Sequence, residues 1–216
     1  PEGDAADAFV ASVAGALAEQ SGQTMLTSGI EKAYEDGLAG LEATPGVTVV
    51  ARGTQGTTAN APAPLLLATN AAVFAATEHL QNEVFGSAAL LVRYKDLAQL
   101  RELAEKLEGQ LTATVQYDDG DQQAARTLLP ILERRVGRIL FNGWPTGVEV
   151  GHSMVHGGPF PATSDSRTTS VGSLAIYRFQ RPVSYQNIPD DLLPEPLQDA
   201  NPWKLPRRID GAVVPA

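Results

Sequence analysis

Glu83, Phe85, His156 and Phe160 are the side chains in this sequence whose types and settings could do chemistry. Glu83 and Phe85 flank Val84 in Glu83-Val84-Phe85-Gly86. A carboxylate offers two hydrogen-bond acceptors to adjacent donors. The plain alternative is a solvated acid beside a core aromatic. His156 carries an imidazole, the group whose proton exchange falls nearest neutral pH, and it could serve as a proton carrier or as a structural group that needs hydrogen-bond partners. His152 stands four residues before it, the spacing of a metal pair on a helix. Gly151, Gly157 and Gly158 argue against a helix, and two ligands without a thiolate make an incomplete site, so no metal is expected. Phe160 lies between Pro159 and Pro161, and Arg167 could fork onto a carboxylate or brace its own loop. The stretch Gly53-Thr54-Gln55-Gly56-Thr57-Thr58 has the glycines of a phosphate loop without its lysine and reads as a turn. The chain has no cysteine, which removes a thiol nucleophile, a disulfide framework and a thiolate zinc site, and fits a cytoplasmic protein.

Hydrophobic periodicity supplies the scaffold for these groups. Phe9, Val10, Val13 and Leu17 predict a helix over residues 5–20 with Asp4 as N-cap. Ser28 and Glu31 have the spacing of a capping box, and Ile30, Tyr34, Leu38 and Leu41 then line one face until Pro45-Gly46 stops the helix. Apolar runs at 47–51, 65–69, 88–92, 111–116 and 138–141 predict strands, with helices at 71–76, 96–108 and 121–136 between them. This alternation specifies an α/β fold with a parallel, helix-covered sheet. Pro130 inside the last helix costs about 3 kcal/mol against alanine, which predicts a kink or break. Residues 142–165 form a loop long enough to suggest a functional role. A helix over 166–179, a strand over 182–186 and a tail rich in Pro, Asp and Leu complete the reading, with a main domain over 1–180 and an appendage over 181–216.

A net charge of −9 without a lysine and arginine cluster excludes the usual electrostatic footprint for nucleic acid or an anionic membrane. No apolar run approaches the roughly 18 residues of a membrane span, and Glu2, Asp4 and Asp7 stand where a signal peptide would carry basic residues.

Three motifs in order, Glu83-Val84-Phe85-Gly86, Gly109-Gln110-Leu111-Thr112-Ala113 and Gly137-Arg138-Ile139-Leu140-Phe141-Asn142, resemble the aldehyde dehydrogenase superfamily. The loop from Pro145 to Gly172 is similar to the branch that holds 2,5-dioxovalerate (α-ketoglutaric semialdehyde) dehydrogenases and bacterial NADP-dependent fatty aldehyde dehydrogenases. That likeness continues through Arg181-Pro182-Val183 and Tyr185-Gln186-Asn187 to residues 197–202. The resemblance implies that the chain is the C-terminal part of a catalytic domain, beginning after the nucleophile, and inactive alone. The intact protein would bind NAD or NADP and oxidise an aldehyde to an acid, with α-ketoglutaric semialdehyde going to 2-oxoglutarate. Long-chain aliphatic aldehydes, or a non-catalytic α/β interaction module, are the alternatives. In that chemistry a thiolate adds to the carbonyl, hydride leaves for nicotinamide and water releases the acid. By the same resemblance Glu83 would accept from the nicotinamide ribose hydroxyls and Phe85 would pack beside the nicotinamide. His156 would tune the thiol or exchange protons, and Phe160 would wall the aldehyde's tail. Residues 181–187 would add a strand to a sheet shared between subunits, which implies a homo-oligomer.

Overall fold

Tyr34, Leu38 and Leu41 recur four and three residues apart on α2 (Ser28–Glu42), and all three are buried. The helix starts at Ser28, so the extended residue before it does the capping: the Thr27 hydroxyl, not that of Ser28, accepts the Ile30 N–H at 3.2 Å. The apolar face of α2 packs on β2 (Leu65–Asn70), where Leu65 and Leu67 join Leu80 in the main core cluster. Met25, Val47, Phe74, Val84 and Leu90 close around it. β2 runs between β1 (Thr48–Arg52), which is antiparallel to it, and β3 (Ala88–Arg93), which is parallel. Being central, β2 has Leu65, Leu66 and Leu67 all buried, which explains its unbroken apolar run. The Tyr34 hydroxyl stands 3.0 Å from the Ala63 carbonyl and 3.1 Å from that of Ser87, fastening the approaches to β2 and β3 together. Burial raises the phenol's pKa above its ordinary value.

The computed structural model describes residues 1–145 and 147–215. After β2 the Asn70 side chain caps α3 (Ala71–Ala76) by accepting the Val73 N–H at 3.0 Å. Asp96 caps α4 (Leu97–Lys106) in the same way through the Gln99 N–H. α4 lies against α5 (Gln122–Arg135), and β4 (Gln110–Val115) pairs in parallel with β5 (Val136–Phe141). The fold is therefore α/β with parallel pairing, as the alternation predicts, divided between a three-stranded and a two-stranded sheet. α5 continues through Pro130 as one helix, so the break allowed for there does not occur, and the Arg134 side chain reaches back to the Pro130 carbonyl at 2.5 Å.

Two other expectations change. α1 (Asp4–Ala18) is a helix, but Gly3 rather than Asp4 precedes it, with no side-chain cap, and none of its residues is buried. Residues 166–172 are turns, and only Ser173–Phe179 is helical, as a 3-10 segment. Thr169 bonds its own neighbours and Gly172 sits at φ 95°, both of which oppose a continuous helix.

The chain divides into two compact units, Pro1–Arg178 and Phe179–Ala216. Within the second, residues 182–186 pair with no described strand of this chain, and the paired segments of this unit are β6 (Arg207–Ile209) and β7 (Ala212–Val214). Asp210 and Gly211 join them with φ of 48° and 85°, the two positive values that a tight hairpin turn requires. Among the described residues no helix is long and apolar enough to cross a membrane.

Tyr34→Phe should cost about 1 kcal/mol, because the buried phenol's one proton is lost to the part-buried pair of Ala63 and Ser87 carbonyls. Leu67→Ala, at a fully buried position, should cost about 2–5 kcal/mol. Thermal unfolding checks both, and an unchanged midpoint for Tyr34→Phe would remove the phenol's bonds from the account.

Candidate active site

Glu83 and Phe85 are turned outward by the residues beside them. Val84 packs on the core, and a Cβ added to Gly37 of α2 would stand 3.1 Å from both of its methyl carbons. Gly86 lies so close to α2 that a Cβ there would fall 2.6 Å from Met25 Cε and collide with the Tyr34 ring. With Val84 and Gly86 held inward, the alternate side chains of Glu83 and Phe85 are left on the outer side. Glu83 is exposed and Phe85 is 68% exposed, so Phe85 is not a core aromatic.

Glu83 borders a cleft of about 630 Å³. Gln81 and Asn82 stand with it on one side, Glu108 to Leu111 form another, and Pro161 and Ala162 complete the lining. The walls are tied to one another. The Gln81 side-chain carbonyl accepts the Glu108 N–H at 3.0 Å, joining the Glu83 segment to the approach of β4. The Gly109 N–H donates to the Phe160 carbonyl at 3.2 Å, joining β4 to the long loop. A Cβ on Gly109 would land on the Pro159 and Phe160 carbonyls, and one on Gly137 would land on the Gly157 carbonyl. The loop therefore sits backbone to backbone on the starts of β4 and β5. The sequence shows Gly109 and Gly137 only as motif letters, and Gln81 carries no signal at all. Its role depends on a contact across 27 residues.

Phe160 is 81% exposed while its carbonyl is engaged by Gly109. His156 is half-buried on the same loop and is not among the cleft's lining residues. Its N–H donates to the Thr169 hydroxyl at 2.8 Å, and its carbonyl accepts the Ser170 N–H at 3.0 Å. His152 bonds the Ser173 hydroxyl through Nδ1 at 2.8 Å, so the two histidines have separate neighbours. Among the described residues no three His, Cys, Asp or Glu side chains cluster as a metal site. Arg167 is paired with Asp165, whose carboxyl is held below the ordinary carboxylate range by the Arg167 backbone N–H and then its guanidinium. The Gly53–Thr58 stretch is not the expected turn: Thr54 forms a parallel bridge with Ser21, the turn falls at 59–60, and the Gly56 N–H donates to the Ala61 carbonyl at 2.8 Å.

Solved structures with this arrangement of elements are aldehyde dehydrogenases. The Δ1-pyrroline-5-carboxylate dehydrogenase of Mycobacterium tuberculosis, bound with NAD, superposes over 87% of this chain and 36% of its own with a TM-score of 0.64 at 18% identity. Betaine aldehyde dehydrogenase of Staphylococcus aureus covers 81% of this chain and 35% of its own, with a TM-score of 0.59 at 13% identity. At that identity the likeness concerns the fold. No protein-family model matches the chain. In sequence, the chain is 50% identical over 97% of its length to α-ketoglutaric semialdehyde dehydrogenase 2 of Azospirillum brasilense. It is 44% identical over 96% to the α-ketoglutaric semialdehyde dehydrogenase of Acinetobacter baylyi. In sequence the chain is similar along nearly its whole length to aldehyde dehydrogenases, and its fold is like theirs. It spans about 40% of the length of the curated relatives it matches.

Gly109→Val should force residues 159–161 off β4 and break the bond from position 109 to the Phe160 carbonyl. Amide exchange at that position should then quicken by about tenfold or more. Unaltered exchange would mean that the docking does not depend on the missing side chain.

Proposed function

We propose that the full-length protein carrying this chain oxidises an aldehyde to a carboxylic acid with NAD or NADP, and that its substrate is α-ketoglutaric semialdehyde, giving 2-oxoglutarate. The observation that carries this reading is the pairing of Glu83 and Phe85, both turned outward by neighbours packed against the core and α2, with Glu83 on the lip of a cleft. The identity to two α-ketoglutaric semialdehyde dehydrogenases supports this choice of substrate.

The residues present suit a dinucleotide's ribose and nicotinamide. Glu83 offers two carboxylate acceptors to two neighbouring hydroxyls, and Gln81, Asn82 and Glu108 surround it with further polar groups. Phe85 offers an exposed aromatic face next to it. Bound nicotinamide supplies the hydride acceptor, and these side chains fix the position of the ring, since orientation alone can account for a large part of a barrier. His156 holds or passes a proton from its anchored place on the loop. Phe160 lies beside the aldehyde's tail. The thiol that attacks the carbonyl belongs to polypeptide outside these 216 residues, which contain no cysteine. Residues 1–180 act as the C-terminal portion of the catalytic domain, and residues 181–187 supply a strand to a neighbouring subunit in a homo-oligomer.

A second reading, oxidation of long-chain aliphatic aldehydes, is favoured by one observation. Trp144, Val150 and Phe160 all lie exposed on the long loop, at 79%, 78% and 81%, where an alkyl tail would find apolar surface.

Turnover of both aldehydes by the full-length protein separates the readings. α-Ketoglutaric semialdehyde should be the better substrate by kcat/KM, and inertness towards both would overturn the proposal. Glu83→Gln should slow single-turnover hydride transfer by about tenfold or more, because one hydrogen bond to a charged acceptor is weakened in the reacting complex. The exposed position leaves the unfolding midpoint unchanged. A wild-type rate would remove Glu83 from the cofactor role.

A further inference from the structure

We propose that Thr169 is a positioning residue for His156, its buried hydroxyl fixing the backbone from which the imidazole projects; this rests on the reading of His156 as a proton-carrying group. Thr169 is 4% exposed and is one of three buried polar side chains among the described residues. A buried hydroxyl must be satisfied in both directions, and this one is. Its oxygen accepts the His156 N–H at 2.8 Å, and its proton goes to the Val171 carbonyl at 2.8 Å.

The bond is one rung of a longer lacing. The arms 151–157 and 168–173 run in opposite directions along each other. The Ser173 N–H donates to the Gly151 carbonyl at 3.1 Å, and the Ser170 N–H to the His156 carbonyl at 3.0 Å. A Cβ on Gly172 would lie 2.9 Å from the Met154 carbonyl, and one on Gly157 would lie 3.1 Å from that of Thr168. His156 is thus held at both its N–H and its carbonyl, while Gly157 sits against Gly137 at the start of β5. In this lacing, Thr169 provides the side-chain anchor at His156 itself. The titratable groups bonded to the two arms are Arg138, through Met154 Sδ, Arg178, through the Ser170 hydroxyl, His152, through the Ser173 hydroxyl, and Asp165, through the Thr168 side chain. A change at Thr169 removes none of these groups.

Valine matches threonine in shape and lacks the hydroxyl, so Thr169→Val leaves the His156 N–H without its acceptor; serine keeps the hydroxyl and loses only a methyl group. In the full-length enzyme Thr169→Val should lower kcat by about tenfold, the size expected for one mispositioned hydrogen-bonded group. It should move the same limb of the kcat–pH profile that His156→Asn removes and leave KM for the nucleotide unchanged. Thr169→Ser should restore kcat to within about twofold of wild type on the same scale. A purely structural threonine would lower the unfolding midpoint and leave the pH profile where it was. If Thr169→Val keeps the wild-type rate and profile while His156→Asn is impaired, this proposal falls and the reading of His156 stands. If His156→Asn is itself unimpaired, both fall. Should Thr169→Val fail to fold, Thr169→Ala takes its place, with the same shift expected and a wild-type profile overturning the proposal.

Discussion

Two stretches of backbone can touch only where no side chain stands between them, and the arrangement of this site depends on that exclusion at Gly109 and Gly137. Any Cβ at these positions would occupy the space now taken by the carbonyls of residues 157, 159 and 160. Because the contact is backbone to backbone, it sets the loop's position more narrowly than flexible side chains could. Everything the loop carries is placed relative to the parallel pair β4 and β5 by that contact. The Gly109 N–H to Phe160 carbonyl bond then gives the docked segment one defined register.

The opposite side of the cleft is fixed by a different physical means. Val84 enters the core beneath α2, and Gly86 passes so near the Tyr34 ring that only hydrogen fits. These two anchors act as a lever on the alternate residues, and Glu83 and Phe85 face outward as a consequence. Tyr34 therefore has two duties: it fills the core, and through the Ala63 and Ser87 carbonyls it fastens the strands on either side of the Glu83 segment. Gln81 bridges the two halves by receiving the Glu108 N–H. The cleft is thus an outcome of core packing on one side and close backbone approach on the other.

Local signals in the sequence reach as far as local forces do. The 3.6-residue repeat of Tyr34, Leu38 and Leu41 and the apolar runs at β2 and β3 mark their elements because burial of one face requires those spacings. Asn70 and Asp96 were equally open to reading as caps, since a cap acts within three residues. The Asp210-Gly211 hairpin turn is local in the same sense, since two adjacent residues carry its positive φ values. The helix expected over 166–179 was wrong in its first half, because Thr169 and Ser170 take their partners from His156, more than a dozen residues away.

By itself the sequence determined the α/β class, the order of the regular elements up to β5, the absence of a thiol and the likeness to aldehyde dehydrogenases, for these are carried by composition, periodicity and motif. Only the tertiary structure decided that Phe85 stands exposed, that Gln81 joins Glu108, that the loop rests on Gly109 and Gly137, and that Thr169 lies beneath His156. Each of these is a contact between segments far apart along the chain. Such contacts are set by the joint packing of α2, the two sheets and the long loop, and no window of sequence contains them.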